Sequence, residues 1–148
     1  MFTVDINIRV RYAETDQMGY VYYGNYATYF EVARVEMFRQ LGLTYKKIEE
    51  MGLIMPVLDM KIKYIRPAKY DDLLTIKTSI KEKPTGARIQ YEYEVYNEEA
   101  VLLTKAETTL VFVDSKTQKP TYSPKQFIEL LEPHFLNEST HVDSKKSY

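Results

Sequence analysis

The 148-residue chain has no cysteine and no tryptophan, only two histidines and only five glycines, and its 20 basic and 21 acidic residues leave a formal charge of −1. Each shortage removes a class of chemistry. Without cysteine there is no disulfide, no thiolate nucleophile and no thiolate metal site, and a reducing compartment, the cytoplasm, is the expectation. The histidines, His134 and His141, lie seven apart near the C-terminal end with no second cluster to join, so no metal-ligand spacing exists. There is no G-x-S-x-G elbow to seat a serine relay and no glycine-rich phosphate loop. Balanced charge gives no electrostatic reason to bind nucleic acid or a membrane surface. The opening "MFTVDINIRV" alternates and carries Asp5, which reads neither as a signal peptide nor as a membrane span. If the chain is an enzyme, a carboxylate is the reactive group left.

What the chain has is tyrosine, fourteen of them, a residue that suits sheets and half-wet interfaces. Phe2, Val4, Ile6, Ile8 and Val10 alternate with polar residues, the mark of a half-buried strand. From Asn25 to Leu41 the apolar positions Tyr26, Phe30, Ala33, Met37 and Leu41 step by three and four, which predicts one long helix, capped by Gly24 or Asn25 and closed by Gly42. A short helix is expected at 44–50. Strands follow at about 53–65, 74–81, 89–95 and 101–113, separated by short turns that imply antiparallel neighbours. Ser123, Pro124 and Gln126 open a last short helix with Phe127, Leu130 and Leu131 on its apolar face. The expected fold class is α+β: an antiparallel sheet of about five strands wrapped around one long helix, as a single domain over 1–136. The polar segment 137–148 is expected to be a disordered tail.

The stretch "YAETDQMGYVYYGNY" (12–26) breaks both periodicities just ahead of the long helix. Gly19 and Gly24 let a backbone come close to a ligand. The first amides of the helix, near Tyr22, Tyr23 and Gly24, have no intrahelical partner and sit at the positive end of its dipole, where an oxyanion can bind. Asp16, in an irregular segment between strand and helix, is the candidate base or nucleophile. An aspartate placed there serves equally well as a turn or cap former, and spacing alone leaves both readings open.

The residues Tyr12, Thr15, Asp16, Gly19, Val21, Tyr22, Tyr23, Asn25 and Tyr26, with Glu31 and Arg34 further along, resemble the opening motif of the hotdog-fold acyl-CoA thioesterases, in the branch of 4-hydroxybenzoyl-CoA thioesterase and the YbgC-like enzymes. "YIRPAKYDDLLTIKTSIKE" (64–82) resembles a later part of the same family, and the likeness extends over about residues 3–132. It implies metal-independent hydrolysis of an acyl-CoA thioester, with no cofactor beyond the coenzyme A of the substrate. Asp16 would be nucleophile or general base, and the amides at Tyr23 and Gly24 the oxyanion donors. Tyrosine at 23, where YbgC-like enzymes often have histidine, matches the hydroxybenzoyl branch. The resemblance also implies substrate contacts from Gly19, Tyr22, Asn25 and Tyr26, an acyl pocket at Met55, Pro56 and Val57, and CoA phosphate contacts at Arg66, Lys83 and Arg88. Met55 and Val57 would serve equally as core, and surface lysines as edge protection. Glu31 reads as a structural partner of Arg34 three residues on. The family pairs its sheets into a homodimer, often a tetramer, with the active site between subunits. An acyl-carrier-protein thioesterase and a non-catalytic acyl-CoA-binding domain are the alternatives on the same fold.

Overall fold

A computed structural model describes the backbone of residues 1–146 and the side chains of residues 1–136. Strand β1 (Phe2–Arg9) is followed by a 3-10 turn at Tyr12–Glu14 and then by helices α1 (Asn25–Leu41) and α2 (Tyr45–Glu50). Next come β2 (Leu53–Ile54), β3 (Val57–Tyr64), β4 (Leu73–Ile80), β5 (Arg88–Tyr96), β6 (Leu102–Val111), β7 (Val113–Asp114) and α3 (Lys125–Lys146). The last helix is longer than expected: α3 runs on through Lys146 and takes in the backbone of 137–146, part of the segment expected to be a disordered tail, while 147 and 148 lie outside the described residues.

Five strands form one antiparallel sheet in the order β1-β4-β5-β6-β3, and β2 pairs with β7 in a separate ribbon. Alternation explains which face of each strand meets the helix. In β4 and β5 Leu74, Ile76, Ile80, Ile89, Tyr91, Tyr93 and Val95 are buried, while Lys77 and the exposed Gln90 turn the other way. Onto the buried face α1 presents Tyr26, Tyr29, Phe30, Ala33, Met37, Phe38 and Leu41. Phe30 stacks on Tyr93 at 4.3 Å between ring centroids. Burying one such aromatic is worth about 1.5–3 kcal/mol, so this face anchors the helix to the sheet. Gly42, at φ 86°, ends α1 in the left-handed conformation that glycine adopts without a Cβ penalty.

Two expectations about the middle of the chain change. The run 53–65 is not one strand: it breaks at Met55 and Pro56, so that β2 pairs with β7 while β3 pairs with β6. Nor is β3 the neighbour of β4. The link between them, 65–72, carries the chain across to the far side of β5, and β3 is left as an edge strand. Glu31 and Arg34 do not pair either. Glu31 is exposed, and Arg34 is turned inward, 6% exposed, donating from Nη1 to the Tyr93 hydroxyl at 2.9 Å. At Ser123 the hydroxyl donates to the Gly86 carbonyl at 2.7 Å and pins the β4–β5 turn.

Candidate active site

The segment 11–26 is held by its own polar groups. Glu14 closes the 3-10 turn: its carboxylate accepts the Arg11 amide at 2.8 Å, the Arg11 guanidinium at 3.1 Å and the Tyr29 hydroxyl at 3.0 Å. Partial burial alone would raise the Glu14 carboxyl, but the hydrogen bonds from Arg11 and Tyr29 outweigh it and hold the group below its ordinary value. The Glu14 carbonyl accepts the Tyr22 amide at 2.9 Å and the Asn25 side-chain amide at 2.8 Å. Asn25 is therefore a brace between the loop and the first turn of α1, and the helix carries no side-chain cap. The Val21 amide donates to the Ala68 carbonyl at 2.8 Å, and the Tyr70 amide to that of Gly19 at 3.0 Å. The loop is thereby tied to the 65–72 crossover.

Within this frame Asp16 forms a tight turn. Its amide donates to the Tyr20 carbonyl at 2.8 Å, its carbonyl accepts the Gly19 amide at 3.0 Å, and Gly19 sits at φ 76°. The side-chain oxygen Oδ1 accepts the amides of Met18 at 2.8 Å and Tyr20 at 3.2 Å. The turn-forming reading of Asp16 is met by one carboxylate oxygen, and the other is left open to the second reading. Oδ1 is spent on the turn, whereas Oδ2 has no hydrogen-bond partner among the described residues.

Asp16 lines a cavity of about 310 Å³ with Tyr20, Val21, Tyr23, Tyr26, Tyr64, Ile65, Arg66 and Pro67. The amides of Tyr23 and Gly24, unlike those of Val21, Tyr22, Asn25 and Tyr26, donate to no acceptor among the described residues. Gly24 is packed closely: a Cβ there would lie 2.8 Å from Cε1 of the Tyr22 ring. The Tyr22 and Tyr23 rings lean on each other at 4.7 Å and are half exposed or more. Tyr26 is 2% exposed, its ring 5.4 Å from that of Tyr64, and burial pushes its hydroxyl up. A carboxylate oxygen and two free amides at a helix start are what attack on a carbonyl, with stabilisation of the resulting oxyanion, calls for.

Of the residues expected at the site, Asp16, Tyr23, Tyr26 and Arg66 line this one cavity. Gly19, Tyr22, Gly24 and Asn25 build its frame. Met55, Pro56 and Val57 do not reach it within the chain. They precede or start β3, whose opposite end supplies Tyr64, about 23 Å away at strand rise. Lys83 and Arg88 lie in a separate groove of about 800 Å³ around the β4–β5 turn, where Lys83 pairs with Glu132 at 3.2 Å. The sequence reading missed Tyr20, Tyr64, Ile65 and Pro67 as lining, and Glu14 and Tyr29 as supports. The signal for Glu14 was the R-x-x-E spacing of Arg11 and Glu14, which lets the carboxylate reach back to the Arg11 amide at the start of a 3-10 turn. Among the described residues no group of three or more His, Cys, Asp or Glu side chains could hold a metal ion, and no helix is long and apolar enough to cross a membrane.

This wrapped-helix architecture is the hotdog fold of thioesterases. Residues 10–131 match the model of the Thioesterase-like superfamily, and the chain belongs to that family. The Bacillus subtilis protein YneP is 39% identical over 120 residues, 81% of this chain and 86% of YneP. The acyl-CoA thioester hydrolase YbgC of Escherichia coli is 33% identical over 121 residues, 82% of this chain and 90% of YbgC. The solved structure of DHNA-CoA thioesterase from Staphylococcus aureus superposes with a TM-score of 0.79 at 33% identity, covering 99% of this chain and 93% of that one.

Proposed function

We propose that this chain hydrolyses acyl-CoA thioesters to a free acid and CoA, with Asp16 as nucleophile or general base and the Tyr23 and Gly24 amides as oxyanion donors. The observation that carries the reading is the one unspent carboxylate oxygen of Asp16 in the same cavity as Tyr23, at a helix start with two undonated amides. Either Oδ2 attacks the thioester carbon, giving a mixed anhydride that water opens, or it takes a proton from a water that attacks. In both routes the carbonyl oxygen gains charge and the amides stabilise it. The acid leaves as carboxylate and CoA as thiol. No metal or further cofactor takes part. Arg66, exposed at the cavity wall, is placed to meet an anionic part of CoA. The likeness to YbgC, a named acyl-CoA thioester hydrolase, supports the substrate class. A cytoplasmic location belongs to the same reading.

The acting unit we propose is a homodimer joined along β3. That strand has a neighbour on one side only, and its free edge is flanked by the exposed apolar side chains Val57, Leu58, Met60, Tyr64 and Ile65. Asp59, Lys61 and Lys63 keep the other face of the strand wet, but an apolar flank of this kind on a free edge is a surface that another strand covers. Antiparallel pairing of β3 with a second copy of itself about a two-fold axis would set the partner's Met55–Val57 end against this chain's Tyr64–Arg66 end. The acyl pocket would then be shared, with the Asp16 cavity from one subunit and an apolar wall from the other.

The test is Asp16→Asn. The asparagine keeps a side-chain carbonyl that can accept the Met18 and Tyr20 amides, so the turn survives while the charge is lost. Hydrolysis of a chromogenic acyl-CoA should fall by about 10²–10⁴-fold with an unchanged thermal midpoint. Full activity in that variant would rule the mechanism out. Rates on acyl-CoA set beside acyl-carrier protein separate the carrier-protein alternative. Saturable CoA-ester binding without turnover in the unmodified protein would favour the binding-domain alternative.

A further inference from the structure

Beneath the third turn of α1 the core contains a charge that the protein leaves uncompensated. The Arg34 guanidinium is 6% exposed and makes a single side-chain hydrogen bond, to the Tyr93 hydroxyl at 2.9 Å. That hydroxyl is shared with Thr108 Oγ1 at 2.6 Å. The Tyr91 ring lies 6.0 Å from the guanidinium carbon. The Arg34 Nε and the hydroxyls of Tyr45 and Tyr91 are buried and have no hydrogen-bond partner among the described residues. Among the described residues no carboxylate comes within ion-pair distance of Arg34. Glu31, one turn earlier, is exposed, and Glu36 is paired with Arg39.

A guanidinium does not give up its proton. Burial alone would ease that, but the Tyr93 and Tyr45 oxygens raise the Arg34 group further. The tyrosines do not supply the missing negative charge, because burial pushes Tyr45, Tyr91 and Tyr93 all upward and keeps them neutral phenols. Water could satisfy the three unpaired groups, yet it brings no charge, and an isolated buried cation is strongly unfavourable. Two buried unpaired hydroxyls and an unpaired N–H in the neighbourhood of a fixed positive charge offer donors suited to an anion.

We propose that Arg34, Tyr45 and Tyr91 form a buried receptor for a small monovalent anion of the halide class, held between α1, α2 and the sheet. The site is separate from the Asp16 cavity, and its role is to complete the core beneath α1. The full-length protein is to be melted in potassium gluconate, chloride and bromide at matched ionic strength, and crystals grown with bromide examined at the bromine absorption edge. Expected is a rise of a few degrees in midpoint from gluconate to the halides, saturating with concentration, and an anomalous peak beside Arg34 Nε. Tyr91→Phe keeps the ring and the arginine but removes one donor, and should weaken the apparent halide affinity about tenfold. Arg34→Met, if it folds, should lose the halide response altogether. A midpoint independent of the anion with no peak, or a Tyr91→Phe variant with the full halide response, would overturn the assignment.

Discussion

The two edges of the five-stranded sheet are built differently. At one edge β1 alternates cleanly: Phe2 and Val4 are 8% and 5% exposed, and Asp5, Asn7 and Arg9 face water. Its start is covered by α3, where the His134 carbonyl accepts the terminal amine and the His134 ring lies 4.4 Å from Phe2. At the other edge β3 leaves every residue but Ile62 exposed, among them Val57, Leu58, Met60 and Tyr64 at 44–50%. One edge is finished and the other is not. The unfinished edge is the one beside the candidate site, since Tyr64, Ile65 and Arg66 at its end line the Asp16 cavity. A site wall and an incomplete surface thus fall in the same place, and in the proposed dimer the cavity of one chain is half of the pocket.

The sharpest way to break this comparison is to charge each edge in turn. Met60→Lys puts an ammonium on the apolar flank of β3 and should convert the dimer to monomer in sedimentation. Because the acyl wall departs with the partner, kcat/KM should fall by about a hundredfold or more, the usual cost of losing positioning. Asn7→Lys on β1 is the control and should alter neither mass nor rate. Equal behaviour of the two variants would abolish the distinction between the edges.

A smaller effect is expected from Gly24→Ala. The added Cβ meets the Tyr22 ring at 2.8 Å, and that ring is 48% exposed, so it can swing aside. The amides of residues 23 and 24 shift with it. The expected loss in kcat is about tenfold, less than the roughly 10²–10³ for removing an oxyanion donor outright. An unchanged kcat would show that these amides do not face the reacting oxygen. Gly19, by contrast, is required by its own φ of 76° rather than by a neighbour, and an alanine there strains the Asp16 turn instead.

These particulars also show what a one-dimensional pattern can carry. α1 was legible to the residue because a 3.6-residue period and a closing glycine are local signals. β1 was legible because alternation is local too. Asp16 stood out by elimination and by its place before the helix. Strand order was not legible: β3 and β4 are consecutive and not paired, and nothing in 65–72 marks a crossover rather than a long turn. Arg34 read as the partner of Glu31 from their i,i+3 spacing alone, and only the tyrosines of β5 and α2 account for its inward turn. Met55 and Pro56 lead into β3 and Tyr64 ends it, a separation along the strand that no spacing rule in the sequence turns into a shared pocket.

The smallest expected effect concerns the frame that holds the site against the crossover. Glu14 keeps its carboxylate below the ordinary value through Arg11 and Tyr29. A depressed folded-state value means that this contribution to stability is complete above the unfolded-state value, the usual 4.5 for this side chain, and is lost as pH falls through the lower folded-state value. The thermal midpoint should therefore drop on acidification below that range, and Glu14→Gln should remove this component of the drop while costing about 1 kcal/mol or less at neutral pH, the scale of a partly exposed ion pair with its hydrogen bonds. The glutamine leaves the Glu14 carbonyl in place, so the Tyr22 and Asn25 bonds persist and kcat at neutral pH should change less than twofold. A larger loss of rate than in Gly24→Ala would place the Glu14 side chain in the chemistry, against a geometry that spends its carboxylate on Arg11 and Tyr29.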